Sequence, residues 1–161
     1  MMKSPTSEEV LALNADDLRE LLNELMYEHW IDMPFDKLNE VQRLLFLCLS
    51  LEDACQADGL LSLTDSKDVF FALPELCVHL QTLGAPKTAR TLQKFIKLFP
   101  KDTFSKRILP EWAWFFESRA RKKRIKRYDT RISIYPDGAM KTIYHRYVAQ
   151  TSSAAKQLLA E

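Results

Sequence analysis

Glycine is almost missing from this chain: three residues in 161, Gly59, Gly84 and Gly138, each isolated from the others. Hairpin turns consume glycine, so the scarcity excludes a sheet-rich fold, and it equally excludes a glycine loop that would cradle phosphates. Cysteine is as scarce. Cys48, Cys55 and Cys77 cannot all pair within one chain, so a reducing, cytoplasmic setting is the expectation. Long hydrophobic runs are lacking too. The longest, Leu44 to Leu51, falls far short of a membrane span, and the opening Met-Met-Lys-Ser-Pro-Thr-Ser-Glu-Glu contains no apolar signal core. Metal-ligand spacing is absent: Cys77-Val78-His79 brings together only two ligating side chains, and His29 and His145 have no Cys or His beside them. Neither a nucleophile elbow nor an HExxH pattern occurs. The expectation is a non-enzyme with no catalytic residue, no metal and no cofactor.

What is abundant is charge, and it is segregated. The formal net charge is +1, yet residues 1–75 carry 5 Lys/Arg against 16 Asp/Glu, or −11, and residues 76–161 carry 18 against 6, or +12. Such asymmetry can hold the two halves together, or it can present an acidic and a basic surface to different partners.

Apolar periodicity predicts helices throughout. Asn14 or Asp16 is placed to cap a first main helix running to about Trp30, with Leu18, Leu21, Leu22, Leu25, Met26 and His29 as its buried stripe. Asp17, Glu20, Glu24 and Glu28 fall three or four residues apart in an outer row. Four helical residues advance about 6 Å, comparable to the gap between neighbouring phosphates on one nucleic-acid strand. Asp32, Asp36 and Glu40 extend this acidity. The row reads either as a phosphate-like surface for a basic partner or as a solvated helix face.

Met33-Pro34-Phe35 is a break. Asp36 is then expected to cap a second helix from Lys37 to about Ala57, apolar nearly all round and therefore central. The clearest pattern follows it. Pro74 suits the first turn of a helix, and Leu73, Leu76, Cys77 and Leu80 form its stripe, with Leu83 beyond. Gly84 fits a left-handed C-cap. Pro86 opens the next helix, striped by Ala89, Leu92, Ile96 and Phe99 and stopped by Pro100. Two helices joined this briefly should pack as a hairpin.

A short helical piece is expected from Thr103 or Ser105, then a helix from Glu111 to about Arg127 with Trp112, Phe115 and Phe116 in the core and Trp114 outside their stripe. Arg131 to Tyr135 alternates and reads as a short strand or an extended linker. Pro136-Asp137-Gly138 restarts a helix bearing Ala139, Met140, Ile143, Tyr144, Tyr147 and Val148. Thr151-Ser152-Ser153 either caps a last short helix or marks a fraying tail. The expected fold class is all-α: a compact single-domain bundle of about six to eight helices spanning residues 1–161, with its core at about 14–150 and a central helical hairpin.

Asp58-Gly59, Thr64-Asp65-Ser66, Gly84-Ala85, Phe99-Pro100 and Tyr147-Val148 stand in a recognisable order. In that order and spacing the stretch from about Leu38 to Val148 resembles the bacterial DNA-mimic protein (DMP) family. The resemblance implies an all-helical, non-enzymatic domain, dimeric in its known example, whose acidic surface imitates DNA and occupies a DNA-binding regulator. The family's turn usually reads Asn-Gly-Gly where this chain has Asp58-Gly59-Leu60. Its members are acidic overall, whereas here the acid is concentrated in the N-terminal half.

The candidate partner-binding residues are therefore Asp17, Glu20, Glu24 and Glu28, offered to a basic protein. A basic set competes with them: Lys87, Arg90, Lys94 and Lys97 in a row on the second hairpin helix, and Arg119, Arg121, Lys122, Lys123, Arg124, Lys126 and Arg127 in the Arg119–Arg131 run, whose one acid is Asp129. These could serve nucleic-acid phosphates, an acidic protein, the chain's own acidic half or a second copy in a homodimer. The leading reading is a DNA-mimic-like regulator or neutraliser. The alternatives are a nucleic-acid-binding accessory protein and an immunity protein blocking a toxin.

Overall fold

The computed structural model describes residues 5–151 and 153–160. The opening Met1–Ser4 and Ser152 of the Thr151–Ser153 cap lie outside the described residues. Among those described there is no strand, and eleven α-helices, a π-helical turn and two 3-10 turns follow one another. The fold is all-α, with more helices than expected. They group into two compact units, Met1–Leu49 with Ala139–Glu161, and Ser50–Gly138.

The first unit begins with α1 (Ser7–Ala12), closed by a reciprocal capping box between Thr6 and Glu9. Asn14 caps α2 (Ala15–Leu25) by accepting from the amides of Asp16 and Asp17 at 2.9 and 3.0 Å. Leu18 and Leu22 are wholly buried, and Leu21 and Leu25 half-buried. From Met26 to Trp30 the chain relaxes into a π turn. This wider turn changes the rotation per residue, so Trp30 enters the core and His29 is exposed, against the expected stripe.

The cap of the next helix also differs from expectation. Asp36 sits in a 3-10 turn, Phe35–Lys37, and α3 runs Glu40–Gln56. Asn39 is the residue that caps it: its side chain accepts from the Gln42 amide at 3.0 Å, and the Gln42 side chain accepts from the Asn39 amide at 3.1 Å. The same two side chains donate to the carbonyls of Gln157 (2.7 Å) and Ala160 (2.7 Å) at the end of α11 (Ala154–Leu158). One pair thus satisfies the start of one helix and the end of another. Every residue from Leu44 to Leu49 is buried. The helix α10 (Met140–Gln150) packs on both α2 and α11, burying Met140, Ile143, Tyr144 and Val148.

In the second unit, α5 (Leu73–Thr82) and α6 (Pro86–Ile96) pack together as the expected hairpin. Gly84 takes a φ of 79° between them, a conformation that costs glycine little. A short α4 (Lys67–Phe71) precedes the hairpin and α7 (Asp102–Ser105) follows it. Phe99 is the hub of the packing. Its ring lies 5.0 to 5.9 Å from those of Phe70, Phe95, Phe104, Trp114 and Phe115.

The expected single helix from Glu111 is two, α8 (Trp112–Glu117) and α9 (Arg119–Ser133). Ser118 is extended between them and caps α9 through the Arg121 amide at 3.2 Å. The break inverts the aromatic assignment. Phe115 is buried, but Trp112 and Phe116 are 63% and 44% exposed, while Trp114 stacks on Phe99. With fewer than two turns, α8 is oriented by that aromatic hub rather than by its own stripe. The alternating stretch at 131–135 is no strand: α9 continues to Ser133, since Ile125 and Ile132, two turns apart, both bury on one helical face.

Candidate functional site

Charge is carried outward by two sets of helices. On α2, the buried leucines at 18 and 22 turn Asp17, Glu20 and Glu24 to solvent, and Glu28 is exposed on the π turn. Asp17 accepts from the Asn14 side-chain amide at 2.6 Å. Among the described residues, Glu20, Glu24 and Glu28 pair with no cation. Asp16, outside the row, holds Lys141 of α10.

The basic residues separate by surroundings. Lys87, Arg90, Lys94 and Lys97 are exposed along α6 and its C-cap. On α9, Arg119, Lys122, Lys123, Arg124, Lys126 and Arg127 are exposed, whereas Arg121 is half-buried. Its guanidinium lies 3.7 Å from the Trp114 ring centroid and donates to the Trp114 carbonyl, so Arg121 ties α8 to α9. Lys122 lies over Phe116 at 5.2 Å.

Because α9 packs along α6, part of each basic set converges. Lys94 and Lys97 from one helix meet Arg124, Arg127 and Arg131 from the other around an open recess of about 390 Å³, with Tyr128 in its wall. Arg131 closes the basic run that the sequence offered, whereas Tyr128 is not among the sequence candidates. The available signal was the spacing 124, 127, 131, which sets three arginines on one helical face. Lys87, Arg90, Arg119, Lys122, Lys123 and Lys126 do not line the recess.

Asp129, the lone acid of that run, faces elsewhere. Its position between Ile125 and Ile132 puts it on the inner strip of α9, where it accepts from the Leu60 amide at 2.8 Å. Gly59 (φ 82°) brings its backbone so close that a Cβ there would lie 3.0 Å from the Asp129 carboxylate. Burial raises the Asp129 carboxyl above its ordinary range, opposed by the Leu60 amide. Burial also pushes the Cys55 and Cys77 thiols up to about 12, with Asp129 and Glu52 adding to the effect at Cys55. At neutral pH both stay protonated and unreactive. Among the described residues no three His, Cys, Asp or Glu side chains gather as a metal site, and no helix is long and apolar enough to cross a membrane.

These features define an all-helical protein whose exposed chemistry is charge displayed on helix faces. The family model for DMP19-like proteins matches residues 36–151, and the chain belongs to that family. No curated protein and no solved structure matches it. The matched span contains α6 and α9 and begins after the acidic row of α2.

Proposed function

We propose that this chain is a non-enzymatic protein-binding module whose acidic N-terminal face occupies a basic partner, a DNA-binding protein of the kind that DNA mimicry would engage. The observation that carries the reading is the acidic face of α2: Asp17, Glu20 and Glu24 exposed at helical spacing, followed by Glu28 exposed on the π turn, none of them with a cation partner among the described residues. A carboxylate left solvated contributes little to folding but steers association with a positive surface. Membership of the DMP19-like family supports a binding role in place of catalysis.

The test is capture from native lysate on the immobilised chain, followed by elution with duplex DNA. The reading expects a basic protein that DNA displaces and that the variant Asp17→Gln/Glu20→Gln/Glu24→Gln/Glu28→Gln fails to retain. Identical capture by wild type and variant defeats it. Recovery of only the chain itself would instead assign the row to self-association.

A further inference from the structure

We propose that the recess between α6 and α9 is a binding site for a compact polyphosphate, a ligand carrying three or more linked phosphate groups. Five cations, Lys94, Lys97, Arg124, Arg127 and Arg131, line one concavity, and no carboxylate is part of its wall. Among the described residues none of the five has an ion-pair partner. The nearest acid in sequence, Asp129, is turned inward and held by the Leu60 amide. Bringing five like charges together opposes folding, so the arrangement stores repulsion that a multivalent anion would relieve.

The size of the site selects the ligand. A volume of about 390 Å³ lies at the small end of ligand pockets. It suits a triphosphate better than an extended strand, which needs a long basic track. Lys87 and Arg90 are exposed further along α6, outside the concavity itself. Three arginines supply planar forks for phosphate oxygens, and two lysines add mobile point charges. Tyr128 supplies a ring and a hydroxyl in the wall. The triphosphate could be free inorganic tripolyphosphate or the tail of a nucleotide. In the second case, Tyr128 offers a face for the base.

The experiment is calorimetric titration of the full chain with inorganic tripolyphosphate, ATP, AMP and inorganic phosphate at physiological salt, with a duplex oligonucleotide as a further arm. Two double variants accompany wild type: Arg124→Gln/Arg127→Gln inside the recess, and Arg119→Gln/Lys123→Gln outside it. All four positions are exposed, so both variants are expected to fold. The expected result is saturable one-to-one binding of tripolyphosphate and ATP, at least about tenfold weaker in the recess variant and unchanged in the control. AMP and phosphate should bind far more weakly. Tighter binding of ATP than of tripolyphosphate identifies the nucleotide as the source, and the reverse identifies the inorganic anion; either outcome supports the site. Equal weakening in both variants would reduce the effect to general counterion attraction and overturn the proposal. So would absence of saturation, or duplex binding stronger than tripolyphosphate binding and lost in the same variant.

Discussion

The acidic face of α2 and the basic recess of α6 and α9 are both exposed and both charged, yet they are built in opposite ways. On α2 a single amphipathic helix lays Asp17, Glu20 and Glu24 out one turn at a time, and Glu28 follows on the π turn. Each remains separately solvated, and the pattern follows from local sequence alone. In the recess no helix suffices. Lys94 and Lys97 are separated by about thirty residues from Arg124, Arg127 and Arg131, and only the packing of α9 along α6 brings the two sets to one concavity. A row presents charge to a broad surface; a recess focuses it on a small ligand. The first depends on helix formation and the second on tertiary structure. The two sites should therefore respond differently to damage.

The largest effect is expected at Phe99. Its ring meets those of five other aromatic residues in the unit that carries the recess. Phe99→Ala should cost about 3–5 kcal/mol, measured by urea denaturation. Tripolyphosphate binding should be lost at urea concentrations that leave it intact in wild type. A cost below about 1 kcal/mol would remove Phe99 from the centre of this packing.

A smaller effect sharpens the distinction between charge used inside and charge used outside. Asp129 lies beside the recess arginines in sequence but works on the inner strip of α9. Its folded carboxyl is raised above its unfolded value, so protonation favours the folded state. The contribution is stabilising below the unfolded range and is lost as pH rises through the folded pKa. Asp129→Asn keeps an acceptor for the Leu60 amide without the desolvated charge. Its melting temperature should equal or exceed that of wild type at pH 7, and any advantage should shrink as pH falls towards 4. Asp129→Ala, which leaves that amide unpaired, should be less stable than the Asn variant by about 1 kcal/mol. Anion binding should survive in Asp129→Asn, because the carboxylate takes no part in the recess. An Asn variant less stable than wild type at pH 7, with the gap closing in acid, would reverse the sign of this assignment.

The parts of the fold that were legible are those dictated by neighbours in sequence. Pro74, Gly84 and Pro86 punctuate the α5–α6 hairpin by backbone chemistry, and the leucines of α2 and α3 mark their buried faces through periodicity. The failures share one cause: a local pattern yielded to a distant or finer constraint. Trp112 and Phe116 look like core at helical spacing, but Ser118 ends that helix and the Phe99 hub orients the remainder. Asp36 is a plausible cap, yet Asn39 does the work because Gln42 answers it. His29 is displaced by a π turn that no residue in the segment announces. The short motifs shared with the DMP family have structural roles here: Gly59 sits against Asp129, Gly84 ends α5, and Phe99 centres the aromatic packing. They identify a frame. The acidic row precedes the matched span altogether.

The smallest expected change in stability is also the strictest test of the acidic row. Changing Asp17, Glu20, Glu24 and Glu28 together to Gln removes four charges from a solvated face. Gln is a good helix former, and Leu18 and Leu22 keep their burial. Only Asp17 loses a local partner, the Asn14 amide, whose capping oxygen still serves Asp16 and Asp17. The melting temperature should therefore move by the equivalent of about 0.5 kcal/mol or less. Association with the captured basic protein should behave otherwise. Its rate should fall in the variant, and the dependence of that rate on salt should flatten, because steering by these carboxylates is what salt screens. Stopped-flow association over a salt series reads both quantities on the same samples. A variant that associates as fast as wild type at every salt concentration would return the row to an ordinary solvated helix face. A large fall in melting temperature would show instead that these carboxylates are paired within the folded chain, where they would be unavailable to mimic a phosphate backbone.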